Sequence, residues 1–192
     1  MTIKLGDPAG ADGKRQSVLD MLNEMCPRAR FTVDDHGIIK PEKAGFCGAA
    51  EQDPPVTKNC VGLCGLVSSP RTVTIRVKTE LDWAGGGYTG PMELAHVDGT
   101  GADTGVCIEN QSRWRERRRT ADGEWVWNDV PDWLILAHEL CDHAGPMLRG
   151  AHPPTKQGHP GNDWHKACEE GAKQARRDHG LPEPGKLHSP KF

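Results

Sequence analysis

His138-Glu139-Leu140-Cys141-Asp142-His143, following the apolar run Trp133-Leu134-Ile135-Leu136-Ala137, is the stretch on which the reading of this chain turns. The run suits a helix. Pro131 is a favoured first-turn residue, Asn128 and Asp129 are available as caps, and Gly145-Pro146 should end it. The two histidines stand five positions apart. On an ideal α-helix five positions are about 140° of rotation, against about 40° for four. Either the pattern is fortuitous, at a polar helix end, or the helix carries a one-residue bulge that returns His143 to the face of His138. Such bulges are rare and concentrate at functional sites.

The chemistry of the second reading is specific. Two imidazoles on one helix face can hold a Zn²⁺ ion, and a glutamate beside the first can serve as general base. His138 and His143 are thus candidate metal ligands and Glu139 the candidate catalytic residue. The reaction expected of them is hydrolysis of a peptide bond by a metal-activated water. An oxyanion partner is also needed. Tyr88, the only tyrosine, follows Gly85-Gly86-Gly87, a stretch read as a turn or a loop able to close over the site, with a structural role as the alternative.

The segment 131–180 resembles the dipeptidyl peptidase III family of zinc peptidases. That family has a His-Glu-x-x-x-His helix with the extra residue absorbed, and a later helix whose Glu-Glu pair supplies the third ligand. The Glu-Gly order after a helical Trp is similar to the third-ligand helix of gluzincin aminopeptidases. Outside this region the resemblance fails, and 192 residues are far too few for a dipeptidyl peptidase III. The layout, with a terminal His179-Gly180-Leu181-Pro182, is closer to the compact metallopeptidase toxin domains that bacteria attach to secretion machinery. The resemblance implies a third ligand from Cys168-Glu169-Glu170-Gly171-Ala172. Glu170 is preferred because it precedes two small residues that permit close helix approach. Glu169 is the alternative, nearer by helical angle to the stripe Trp164, Cys168, Ala172 and Ala175. His152, His159 and His165 are read as loop or supporting residues.

Working outward, residues 1–13 read as a flexible lead-in, 14–182 as a single domain and 183–192 as a Pro-rich tail. Ser17–Met25 reads as a short amphipathic helix ended by Pro27, and 30–39 as a hairpin. Residues 44–65 read as an irregular loop with one helical turn. Thr72–Lys78 alternates with period two and is the clearest strand; Val106–Ile108 is a shorter one. Residues 113–127 form a hairpin about Ala121-Asp122-Gly123, and a second helix runs from about Asp163 to Gly180. The expected class is α+β: a small antiparallel sheet with a metal-binding helix and a C-terminal packing helix, zincin-like.

Composition narrows the alternatives. The formal net charge is −3, which argues against a general nucleic-acid binder. No apolar stretch is long enough to span a membrane, and the first residues lack the apolar region of a signal peptide. Zinc deaminase, serine-hydrolase elbow and phosphate-loop motifs are absent from the sequence. Six of nine histidines fall between positions 138 and 179. Seven cysteines are too few for a disulfide scaffold yet more than a cytosolic enzyme requires. Cys141 and Cys168 read either as a disulfide across the site or as small buried hydrophobes, and Cys60 and Cys64 as a second pair, with Cys47 nearby. The expectation is a secreted or translocated bacterial effector, with a cytoplasmic setting as the alternative. Its partners would be a peptide or protein substrate and an immunity or secretion-apparatus protein.

A competing class rests on Arg113, Arg115, Arg117, Arg118 and Arg119 interleaved with Trp114, Trp125 and Trp127. Such a hairpin can track a nucleic-acid backbone or an acidic partner, any zinc then being structural. It can equally be a solvated edge whose charges block strand pairing.

Overall fold

Val18, Met21, Leu22 and Met25 recur at helical spacing, and all four are buried. They form the inner face of α1 (Asp12–Met25). The structure, a computed structural model, describes residues 2–6, 12–48, 56–78, 87–90, 104–109, 115–148, 163–182 and 186–188. Around α1 the described chain is α+β, with strands β1 (Thr2–Leu5), β2 (Phe31–Val33), β3 (Ile38–Pro41), β4 (Thr72–Lys78), β5 (Gly87–Gly90) and β6 (Thr104–Glu109) in a sheet of order β2-β3-β1-β4-β6-β5. The central pairs β1/β4 and β4/β6 are parallel, while β2/β3, β1/β3 and β5/β6 are antiparallel. The main sheet is thus mixed where an antiparallel one was expected. Ile3, Ile39, Val73 and Ile75 are buried on it. The alternation in β4 leaves Thr72 and Thr74 less covered than Val73 and Ile75.

Outside the two later helices, four parts of the chain differ from the sequence expectation. The lead-in 1–13 contains β1, which pairs with both β3 and β4 at the centre of the sheet. Four residues are too short to show a period, so only the pairing reveals the strand. Residues 44–65 hold a 3₁₀ turn, Phe46–Gly48, and most of a ten-residue helix, α2 (Lys58–Val67). Thr57 caps it by accepting a hydrogen bond from the Cys60 N–H at 3.2 Å. Gly87–Gly90 is a strand, so Tyr88 lies opposite Cys107 in β5 and not in a loop. The tail 183–192 includes β9 (Lys186–His188), which joins β7 (Arg115–Arg119) and β8 (Trp125–Asp129) in a second sheet of order β8-β7-β9.

The hairpins at 30–41 and 115–129 form as expected, and so do the two later helices. The helix α3 covers 132–148. It begins after Pro131, which occupies the N-cap position. It also continues through Gly145-Pro146 to Leu148. Pro146 lacks the N–H that would bond the Asp142 carbonyl in an α-turn. That carbonyl accepts the Cys168 thiol instead, at 3.3 Å. The helix α4 (Asp163–Asp178) ends in a Schellman turn: Gly180 takes φ +65°, Leu181 N–H bonds the Arg176 carbonyl at 2.8 Å and Gly180 N–H that of Arg177 at 3.1 Å.

Two disulfides fix α2, Cys26–Cys60 to the end of α1 and Cys47–Cys64 to the 3₁₀ turn. The Cys60–Cys64 pairing does not form: each of these cysteines is taken by a different segment packed on α2. Cys141 and Cys168 form no disulfide. Two disulfides in a chain of this size fit maturation in an oxidising compartment. Among the described residues no helix is long and apolar enough to cross a membrane.

Candidate metal centre

Within α3 the α-helical turns Asp132–Ala137 give way to a π-helical segment, His138–Ala144, and α-geometry resumes at Gly145–Leu148. The anchors are apolar. Leu136, Leu140 and Ala144 are fully buried, and Leu134 and Ala137 nearly so. Fully burying a leucine stabilises by about 1.5–3 kcal/mol. That core holds both flanking turns in place while the segment between them takes up the extra residue. In a turn closed by i→i+5 bonds, such as Gly145 N–H to the Leu140 carbonyl, positions i+4 and i+5 fall on either side of position i. His143 is thereby returned to the face of His138.

The two rings meet edge to face, with centroids 4.5 Å apart, and their Nε2 atoms are 2.9 Å apart. One ring donates to the other across that distance. Two nitrogens held by one tetrahedral zinc ion at about 2.0–2.1 Å would stand roughly 3.3 Å apart, so the pair fits two ligand positions after a small separation. The Nδ1 of His138 faces the other way, 3.7 Å from Oδ2 of Asp142. Burial works against a charged His138, yet the contact with Asp142 and the negative charges of Glu139, Asp142 and Glu169 outweigh it and raise the imidazole pKa above its usual value. Glu139 is buried, at 7% exposure.

Helix α4 closes the other side. Cys168 reaches the Asp142 carbonyl, and a methyl group built on Gly171 would overlap the Asp142 carboxylate. Gly171 is thus a point of close approach between α4 and Asp142 of α3. Burial, with the nearby charges of Asp142 and Glu139, pushes the Cys168 thiol up to about 12, so it stays protonated. Cys141 points to α2, its thiol 3.8 Å from the Asn59 carbonyl. A Cβ on Gly62 would come within 2.8 Å of that sulfur.

His138, His143 and the buried Glu139 thus share one helical segment. The two candidates for a third ligand are both exposed on α4. Glu170 pairs with Lys173, which lowers its carboxyl pKa. Glu169 is the one whose charge is felt at His138. Among the described residues no three His, Cys, Asp or Glu side chains converge as a complete metal-binding group. His152 and His159 lie outside the described residues, and His165 falls in the first turn of α4. One of the two described edge strands of the main sheet, β5, runs close to the π-helical segment, as does β6. A surface cavity lined by Gln16, Asp20, Glu24, Asp132 and Trp133 lies elsewhere, and none of the candidate ligands borders it.

Sequence reading did not single out Asp142 or Lys58. The signal for Asp142 was its position, four after His138, once a π-turn is assumed. Lys58 opens a ten-residue helix in a segment whose sequence suggests an irregular loop with one helical turn. No family model matches the chain, and none of the curated proteins or solved structures compared with it is significantly similar.

Proposed function

We propose that the protein is a zinc-dependent hydrolase acting on a peptide bond. The observation that carries this reading is the 2.9 Å approach of His138 Nε2 and His143 Nε2 inside a π-helical turn beside a buried Glu139. A helix spends its regular hydrogen bonding on such a turn only where something else holds it, and π-turns concentrate at functional sites. His138 and His143 would hold the ion. Glu169 is the third donor to test first, with Glu170 engaged by Lys173. When bound, zinc supplies Lewis-acid polarisation of the scissile carbonyl and acidification of water. Glu139 takes the proton of the attacking water and returns it to the leaving amine. The outer backbone groups of β5 are suited to receive an extended peptide as an added strand. The two disulfides support a secreted setting, in which we read the chain as an effector acting on a protein substrate, with an immunity or secretion protein as its proposed partner.

Metal analysis of the purified chain should find about one zinc per molecule, lost in His138→Ala and His143→Ala. Glu139→Gln should keep the zinc while peptide hydrolysis falls by about 10²–10⁴-fold. Undiminished hydrolysis in Glu139→Gln, or equal zinc in His138→Ala, overturns the reading.

A second reading has its own observation. Trp125 and Trp127 are 47% and 45% exposed, and the Arg117 guanidinium lies 5.0 Å above the Trp125 ring. A basic, aromatic strand pair of this kind suits single-stranded nucleic acid or an acidic partner. A salt-sensitive shift of a labelled oligonucleotide, abolished when Arg117 and Arg119 are replaced by Ala, would favour it.

A further inference from the structure

Resting on the metal-centre reading, we infer that Asp142 is a positioning residue that sets the orientation of the His138 ring. The π-turn places position i+5 and position i+4 on opposite flanks of His138, and the adjacent residues Asp142 and His143 occupy them. Nε2 is thereby aimed at His143, 2.9 Å away, and Nδ1 at Asp142 Oδ2, 3.7 Å away. A ligating imidazole donates its other N–H to a carboxylate or carbonyl, which fixes the ring and raises its basicity. Asp142 Oδ2, 3.7 Å from Nδ1 and so just beyond hydrogen-bond distance, is the carboxylate placed in the same helical turn to accept that N–H on a small closure.

Asp142, side chain and main chain together, is itself approached from three sides. Its Oδ1 lies 3.4 Å from Lys58 Nζ, at the start of α2. Its own carbonyl, denied an α-helical partner by Pro146, accepts the Cys168 thiol of α4. Gly171 leaves the space the carboxylate fills. The Asp142 side chain is 10% exposed, whereas that of Lys58 is 46% exposed, so the Lys58 contact is partly screened by water. The Lys58 backbone is fixed in turn: its N–H donates to Asp178 Oδ2 at 2.7 Å, and its helix is tied down by both disulfides. Asp142 is therefore the point where α2, α3 and α4 jointly decide how His138 faces the ion.

The test measures Zn²⁺ affinity of the full chain, by competition with a chromogenic chelator, for the parent, Asp142→Ala, Asp142→Asn and Lys58→Met. His138→Ala serves as the zinc-free control. Asp142→Ala should weaken zinc binding by 10- to 100-fold at unchanged stoichiometry. Asp142→Asn, which keeps an acceptor oxygen, should recover part of that loss. In the zinc-loaded parent, the His138 Nδ1–H should give a proton resonance protected from solvent exchange, absent in Asp142→Ala. A purely structural role would leave that resonance in place. If Asp142→Ala does not fold, Lys58→Met decides, with an expected loss of at least threefold and faster exchange of the same proton. A parent that binds one zinc, with less than a tenfold loss in folded Asp142→Ala, overturns the role of Asp142 and leaves the metal centre standing. A parent that binds no zinc overturns both.

Discussion

Glu116 on β7 and Arg176 on α4 form a two-pronged ion pair inside the protein, Nη1–Oε1 3.1 Å and Nη2–Oε2 2.8 Å, with each side chain only 5% exposed. Arg176 Nη1 also donates to the Pro182 carbonyl. The pair fastens the Arg/Trp hairpin to the helix that packs on the candidate metal centre. Fork-to-fork geometry of this kind is specific to arginine.

Breaking one side leaves a buried charge without its counter-ion. Arg176→Ala or Glu116→Ala should lose about 3–5 kcal/mol of stability. Replacing both, as Glu116→Leu with Arg176→Met, should recover most of it. Urea midpoints at constant m-value would show this; single variants within 1 kcal/mol of the parent would contradict the pairing.

Disulfide closure acts mainly on the unfolded chain. Cys26–Cys60 spans 34 residues and Cys47–Cys64 spans 17. On the loop-entropy relation these contribute about 4 and about 3 kcal/mol. Paired Cys→Ser replacements should therefore lower stability in that order, and reductant should lower the parent's melting temperature without affecting the quadruple variant. Peptide mapping of unreduced protein should find these two bridges and no Cys60–Cys64 or Cys141–Cys168 bridge.

Gly171→Ala opposes two effects of different size. Alanine gains about 1 kcal/mol over glycine in a helix interior. Its methyl group, however, meets the Asp142 carboxylate, and overpacking of this kind costs about 1–3 kcal/mol. A net loss of stability is expected, relieved in the double variant with Asp142→Ala. Thermal unfolding of the four proteins in a double-mutant cycle measures the coupling.

Asp34 sets a pH dependence in the β2–β3 hairpin. Its Oδ1 accepts the N–H groups of Ile38 at 2.9 Å and His36 at 3.0 Å. The Ile38 bond, with help from His36 and Lys40, holds its pKa below the usual 3.8. A carboxyl with a lowered folded-state pKa stabilises at pH above its unfolded value, and this is lost as pH falls through the folded value. The melting-temperature gap between the parent and Asp34→Asn should be constant above about pH 5 and close toward pH 3. A gap that persists unchanged at low pH would rule this out.

Local signals carried far in some segments and failed in others. Thr72–Lys78 and the 115–129 hairpin were legible because alternation and turn residues act within a few positions. The strand Thr2–Leu5 was not, because Ile3 becomes a core residue only when β3 and β4 flank it. Helix α2 was masked by its cysteines and glycines, whose partners lie on other segments. The Gly145-Pro146 stop was overridden because Cys168, distant in sequence, satisfies the carbonyl that the proline leaves over.

The sequence by itself determined the candidate residues His138, Glu139 and His143, and the condition under which they act together, since a five-residue spacing converges only if the helix bulges. Whether it bulges was a tertiary decision. The apolar anchors on both sides of the turn and the packing of α2 and α4 against Asp142 stabilise a geometry that an isolated helix would avoid, as its hydrogen bonding is poorer than that of regular α-turns. The pairing of the cysteines was likewise settled only there, because each bond depends on segments brought close by burial and not by proximity along the chain.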